Sequence, residues 1–374
     1  MSLPNYSGRY LNSLILVLLL FTGHVSMVSA QATGPWTSPE LITHDGAFAS
    51  TPFLVADRSG VVHAVWSRST LDPSSELGLD TVMYARLEGG QWSEPIDILA
   101  DNESLLRVVR LRDFSLESDG TVHIVYALDR LGIYHIVSES SGQRWSSPVA
   151  IWVVTGGGYS SGSVRIEQGP DGVLHAVWGI TSAETRWNPI GVAYARSVDG
   201  GLSWDQTLEV IEGDNQPSIG FDQDGKTHLV WNNPAGSSLG RGHVISNDSG
   251  ATWSSVERRF PDYRGQTWWP SMIRDSGGTL HLITAANAPG EVSSRVFHSV
   301  WLGNTWSKPV VISGQMFGIE APSIVAVNGN QLRVAWFSYI VSQYGIWTSS
   351  AVADAPYVEP VKIATATPPA SGAG

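Results

Sequence analysis

The sequence predicts an all-β fold, a six-bladed β-propeller of four-stranded antiparallel blades, and three observations carry that prediction. First, one segment type recurs six times: "PFLVADRSGVVHAVW", "RDFSLESDGTVHIVY", "VRIEQGPDGVLHAVW", "PSIGFDQDGKTHLVW", "PSMIRDSGGTLHLIT" and "PSIVAVNGNQLRVAW". The copies align without a gap on His63, His123, His175, His228, His281 and Arg333, as units of one repeated fold should. Second, three residues before each anchor stands Gly60, Gly120, Gly172, Gly225, Gly278 or Asn330. A residue tolerant of positive φ between two apolar runs reads as a hairpin. Third, each hairpin is followed by one more short strand and then by a strand of Trp–Pro–Ile type, at a period near fifty residues.

Taken in order, the third strands include "VMYARL" (Val82 to Leu87), "VAYARS" (Val192 to Ser197) and "GIWTSS" (Gly345 to Ser350). Fourth strands are marked by Trp92, Pro95 and Ile98, or by Trp306, Pro309 and Ile312. Two segments compete to close the last blade, "GPWTSPELIT" (Gly34 to Thr43) and "YVEPVKI" (Tyr357 to Ile363). Pairing chain ends in this way removes an exposed sheet edge. The six units fill residues 31–363 as one domain, with a signal peptide over 1–30 and a disordered Pro/Ala-rich tail over 364–374.

Between the third and fourth strands, "SVDGGLSW" (Ser197 to Trp204) and "SNDSGATW" (Ser246 to Trp253) share the pattern Ser-x-Asp-x-Gly-x-Ser/Thr-Trp. Asp199 and Asp248 are placed to accept backbone N–H bonds, Gly201 and Gly250 to turn the chain, and Trp204 and Trp253 to wedge between sheets. Degenerate copies, "SSGQRW" and "LEGGQW", keep Gly and Trp without the Asp. A group repeated around a ring is a structural bracket and not a reaction centre.

Arg9, the apolar run Leu14 to Phe21 and the small residues Val28, Ser29 and Ala30 describe a secretory signal peptide. The chain has no Cys, so an exported fold here rests on its core alone, and a bacterial source is expected. A net charge of −12 argues against nucleic acid or an anionic membrane surface as partner. A monomer is expected, without cofactor. Five of the ten histidines fill one repeat position, which spreads them around the ring, and His44, His135, His243 and His298 read as unpaired singles. No metal site is predicted.

The bracket resembles the Asp-box, or BNR repeat, of the sialidase superfamily, and six blades is the sialidase count. The resemblance spans essentially the whole region after the signal peptide and implies a sialidase-like propeller that acts on or recognises glycans. Sialidases carry three arginines for the sugar carboxylate, a Tyr–Glu nucleophile pair and an Asp acid/base. The chain departs from that set. Ser50 stands where the first arginine is expected, "QTWWPS" (Gln266 to Ser271) has none, and "GQMFGIEAPS" (Gly314 to Ser323) has no Tyr. Only Arg110 sits at a matching register, in a different blade.

The candidate site is therefore sought where first strands begin and second strands turn into third ones, at the end of the ring opposite the brackets. First-strand lead-ins supply Arg110, Arg112 and Asp113 in blade 2, Arg165 in blade 3, Asp214, Asn215 and Gln216 in blade 4, Trp268 and Trp269 in blade 5, and Glu320 in blade 6. Trp187 lies in a polar loop of blade 3. Arg110, Arg112, Arg165 and Asn215 are candidates for binding a carboxylate or hydroxyls, and Trp187, Trp268 and Trp269 for stacking on sugar rings. Asp113 and Arg165 share a register in adjacent blades, so a structural pair is the other reading. Glu320, Asp113 and Asp214 are the acid/base candidates if the chain is a glycosidase. The alternative is a non-catalytic propeller that binds a glycan or a protein, and a third class is a purely structural one.

Overall fold

The computed structural model describes residues 42–43, 48–49, 52–57, 59–69, 80–99, 109–116, 120–128, 131–138, 142–154, 159–182, 189–210, 215–232, 240–264, 269–352 and 355–364. Two units are distinguished, Met1–Ile42 and Thr43–Gly374, and every described strand lies in the second. Its strands form six antiparallel sheets, with a single 3-10 turn at Val341–Gln343 among the described residues.

Blade 2 runs Val109–Leu116, Val122–Leu128, Gly132–Ser138 and Val149–Val153. Blade 3 runs Tyr159–Gln168, Leu174–Ser182, Pro189–Ser197 and Asp205–Val210, and blade 4 Asn215–Phe221, Thr227–Asn232, Arg241–Ser246 and Glu257–Arg259. Blade 5 runs Ser271–Arg274, Leu280–Ala286, Arg295–Val300 and Val310–Val311. Blade 6 runs Ile319–Val327, Gln331–Ser338, Gly345–Val352 and Val361–Ala364, each strand paired with the next. Blade 1 has six pieces because its first strand is split into Phe48–Ala49 and Phe53–Ala56 and its fourth into Gln91–Trp92 and Ile96–Asp97, around Val62–Ser69 and Asp80–Glu88. The segment that includes Val361–Ala364 supplies the fourth strand of blade 6, while residues 34–41 lie outside the described residues.

Hairpin glycines Gly60, Gly120, Gly172, Gly225 and Gly278 all take positive φ, as expected. Blade 6 differs: Asn328 and Gly329 hold the positive φ, not Asn330, because that turn is tightened one residue earlier.

The core lies between blades. Trp178, Trp231 and Trp336 occupy one register on second strands and are at most 1 % exposed. Each buried apolar cluster draws on two consecutive blades; Val177 and Tyr194 of blade 3, for example, pack with Leu229 and Trp231 of blade 4. Burying these faces is the main driving force for closing the ring.

The anchor histidines join those interfaces. Each faces a third-strand side chain in a common register: His63 Nδ1 lies 2.8 Å from the Tyr84 hydroxyl and His175 Nδ1 2.6 Å from that of Tyr194. In the other three pairs the third-strand residue is a histidine. Nδ1 to Nε2 distances are 2.9 Å for His123–His135, 3.0 Å for His228–His243 and 2.9 Å for His281–His298, with the rings stacked. His135, His243 and His298 are thus not singles, which corrects the expectation; the pairing joins residues 12 to 17 apart and leaves no short motif. His44 lies outside the described residues.

The third-strand ring then packs on the bracket of the next blade. Tyr84 meets Trp145 edge-on at 5.5 Å, His135 meets Trp204 at 5.5 Å and Tyr194 meets Trp253 at 4.7 Å. Within each full bracket the Asp takes the expected bonds. The Ser203 amide and hydroxyl donate to Asp199 at 2.9 and 2.6 Å, and those of Thr252 to Asp248 at 2.8 and 2.6 Å. These bonds, led by the Ser203 and Thr252 hydroxyls, hold both carboxyls down at about 2.

Candidate functional site

First strands enter the ring on the end away from the brackets, because antiparallel alternation puts the first-to-second and third-to-fourth turns together at the other end. In four blades the lead-in is bulged. The ladder shifts between Leu111 and Asp113, Ser161 and Val164, Asn215 and Ser218, and Glu320 and Ser323. A bulge leaves a residue without a ladder partner, which is why Pro217 and Pro322 are tolerated there. In blade 2 the extra residue is Arg112. Two bulges put a non-glycine residue at positive φ, Gln216 at 57° and Ala321 at 46°, a conformation that stores about 1–3 kcal/mol and recurs at ligand sites.

Within this frame Arg165 is the residue that spans the ring. Its Cζ lies 6.0 Å from the centre of the Phe53 ring and 5.9 Å from that of Trp269. Phe53 belongs to blade 1, Arg165 to blade 3 and Trp269 leads into blade 5, so three alternate blades meet at one guanidinium. Alternate blades of a six-membered ring can do so only near its axis. All three side chains are half-buried, which leaves the group in contact with solvent. At this separation each ring contributes roughly 0.5 kcal/mol.

Polar lead-in residues around it are held in place. The buried Asn232 donates from Nδ2 to Gln216 Oε1 at 3.1 Å, steadying the strained residue, and the Ile324 amide donates to Ser271 Oγ at 3.3 Å between blades 6 and 5. Asn232 and Phe53 were not singled out by sequence. Phe53 is an ordinary apolar residue in its strand, and only the ring geometry brings it to Arg165.

The other candidates fall as follows. Glu320 pairs with Phe337 at the start of blade 6 and is half-buried, directly before the bulge at Ala321. Arg110 and Asp113 pair through their backbones with Ala127 and Val125, while their side chains and that of Arg112 lie outside the described residues. Asn215 pairs with Asn232 on the same terms. Asp214, Trp187 and Trp268 lie outside the described residues altogether. The structure thus brings together Arg165 and Trp269, which sequence had assigned to separate roles.

No family model and no curated protein matches the sequence. Solved structures do. The chain is similar to the Hadza microbial sialidase Hz136, with a TM-score of 0.56 and 15 % identity over 84 % of this chain and 66 % of that one. It therefore spans just under two thirds of that protein. Similarity extends to the intramolecular trans-sialidase of Ruminococcus gnavus, solved with oseltamivir carboxylate, with a TM-score of 0.57 and 12 % identity over 86 % of this chain and 97 % of that one. A protein of unknown function from Dyadobacter fermentans matches with a TM-score of 0.55 and 14 % identity over 84 % of this chain and 93 % of that one. These likenesses establish the fold: a sialidase-like six-bladed propeller.

Proposed function

We propose that this sialidase-like propeller recognises a glycan bearing a carboxylate over its central opening, with Arg165 as the cation that receives it. The observation that carries the reading is the Arg165 guanidinium between Phe53 and Trp269. A carboxylate takes paired, charge-assisted bonds from a guanidinium, and an aromatic face beside it stacks on the sugar ring. A neighbour of the same fold, the Trypanosoma rangeli sialidase, was solved in complex with sialic acid, with a TM-score of 0.55 and 12 % identity over 83 % of this chain and 53 % of that one. Arg9, the apolar run Leu14 to Phe21 and the small residues Val28, Ser29 and Ala30 support a working place outside the cytoplasm.

A second reading, glycoside hydrolysis, is favoured by one observation: Glu320 stands next to the strained Ala321 on the same end of the ring. Both readings are tested by incubating the protein with sialylated, uronic-acid and neutral glycans and following products by mass spectrometry and binding by fluorescence. Binding of the acidic members, weakened about tenfold or more in Trp269→Ala, is the expected result. Product that disappears in Glu320→Gln would establish hydrolysis. Indifference to every glycan would overturn the glycan reading and leave the propeller a scaffold.

A further inference from the structure

Along the fourth strands of blades 4 and 5, the outermost in their sheets, runs a groove of about 530 Å³. Its walls reverse the sign of the chain. Arg258, Arg259 and Lys308 line it against a single acid, Asp262, whereas the whole sequence has 22 basic and 34 acidic side chains. Arg259 is paired with Glu257 of its own strand, but Lys308 is exposed and makes no ion pair among the described residues. Phe260 and Tyr263 supply adjoining rings at 6.4 Å, and Tyr263 is braced edge-on against the buried Phe297 at 5.0 Å. Trp306, only 6 % exposed, forms part of the same wall, and its buried indole Nε1–H has no hydrogen-bond partner.

We propose that this groove is a second, accessory site for an anionic sugar, whose carboxylate meets Lys308 and whose ring lies on Phe260 and Tyr263. The charge reversal selects an anion, and the rings and the size suit one or two sugar residues. An acidic peptide is the competing anion, and one way for it to dock is by adding a strand to a blade edge. Both edges resist this: the fourth strand of blade 4 has three residues and is followed closely by Pro261, and that of blade 5 has two and is preceded by Pro309. Proline offers no N–H to an added strand. The choice of a sugar leans on the carbohydrate reading of the central opening, but the groove shares no residue with it.

The test reads the two places separately, through the indole N–H signals of Trp306 and Trp269 in the full chain labelled with nitrogen-15, assigned with Trp306→Phe and Trp269→Phe. Sialyllactose should move the Trp306 signal, lactose should not, and Lys308→Glu should weaken the response about tenfold by turning attraction into repulsion. Arg165→Ala should leave the Trp306 response intact. Lys308 is an exposed side chain, so its replacement spares the fold. A Trp306 signal unmoved by sialyllactose would overturn the accessory site, as would an equal response in Lys308→Glu. Movement with a glutamate-rich peptide but not with the sugar would overturn it in favour of a protein partner. The Trp269 signal reports the central opening independently, so failure of one reading does not pass for failure of the other.

Discussion

Below its neutral range the protein is expected to lose stability steeply, starting near pH 6.5 and before its carboxylates begin to protonate. The cause is the ring of buried imidazoles. Burial, the largest influence at each, pulls His135 down to about 3 and His175 and His298 to about 4, and lowers His63, His228 and, well below its ordinary value, His243. Neighbouring charge adds to this: His123 acts on His135, His281 on His298, Arg196 on His175, and His228 and Arg259 on His243. At the junction of blades 4 and 5 the tautomers follow from the donors. Arg259 Nε can only donate, so His243 Nδ1 accepts at 3.4 Å, His243 Nε2–H donates to His228 at 3.0 Å, and His228 Nε2–H points to Asp222 at 3.3 Å. No acceptor is left for another proton.

The sign is clear. These histidines have folded values below the unfolded 6.5, so the unfolded chain binds more protons as pH falls through the interval, and stability falls with it. His135, His175 and His298 should each cost roughly 2 kcal/mol by about pH 5, together comparable with the whole stability of a typical domain. Asp57, Asp171, Asp199 and Asp248 are lowered too, but their contribution is lost only below the ordinary 3.8, in a later window. Thermal melts from pH 7 to pH 4 check this. A melting temperature that holds level down to pH 4.5 would show that the pairs are not buried as described. His298→Tyr, which copies the pairing of blades 1 and 3, should flatten part of the slope.

The second large effect is expected from Gly250→Ala. A Cβ there would lie 1.9 Å from the Tyr194 hydroxyl, and the residue has φ of 78°, where side chains with a Cβ are strained. Tyr194 cannot retreat, because its hydroxyl is held by His175 and its ring lies against Trp253. Left-handed strain of about 1–2 kcal/mol and overpacking of about 1–3 kcal/mol add to a loss near 2–5 kcal/mol. Gly200→Ala is the control: its φ of 70° carries the same strain, but no atom lies within 4 Å of the new Cβ. Chemical denaturation of both should therefore show a clearly larger loss for Gly250→Ala. Equal losses would mean that the bracket glycine serves only the turn and not the junction between blades.

The repeat was legible in sequence because every blade must meet the same steric demand at the same register. A hairpin glycine, a buried aromatic and an anchor histidine leave a gapless pattern, and the six sheets follow it. What that pattern could not show was the second half of each junction. Tyr84, His135, Tyr194, His243 and His298 face their anchors across second-to-third loops of unequal length, so their spacing to the anchor runs from 12 to 21 residues. Blade 6 breaks the pairing on both sides at once, with Arg333 as anchor and Thr348 in the facing register. At the opening, Trp269 was legible as a departure from the repeat and Arg165 as a charged residue at a strand lead-in, but their meeting was not. It depends on closure of the ring, a property of all six blades, as does the arrival of Phe53. The groove beside Lys308 left no mark in sequence, since it is made by two turns about fifty residues apart that touch only in adjacent blades.

The central opening is tested most directly by calorimetric titration of the protein and of Arg165→Ala with sialyllactose and with lactose. If Arg165 receives a carboxylate between Phe53 and Trp269, sialyllactose binds the unaltered protein more tightly than lactose does. Arg165→Ala then removes that difference, at a cost of about tenfold or more in affinity for the acidic sugar alone. If both sugars bind equally, or if Arg165→Ala binds sialyllactose as the unaltered protein does, the guanidinium is a plug in the ring and the recognition reading is wrong.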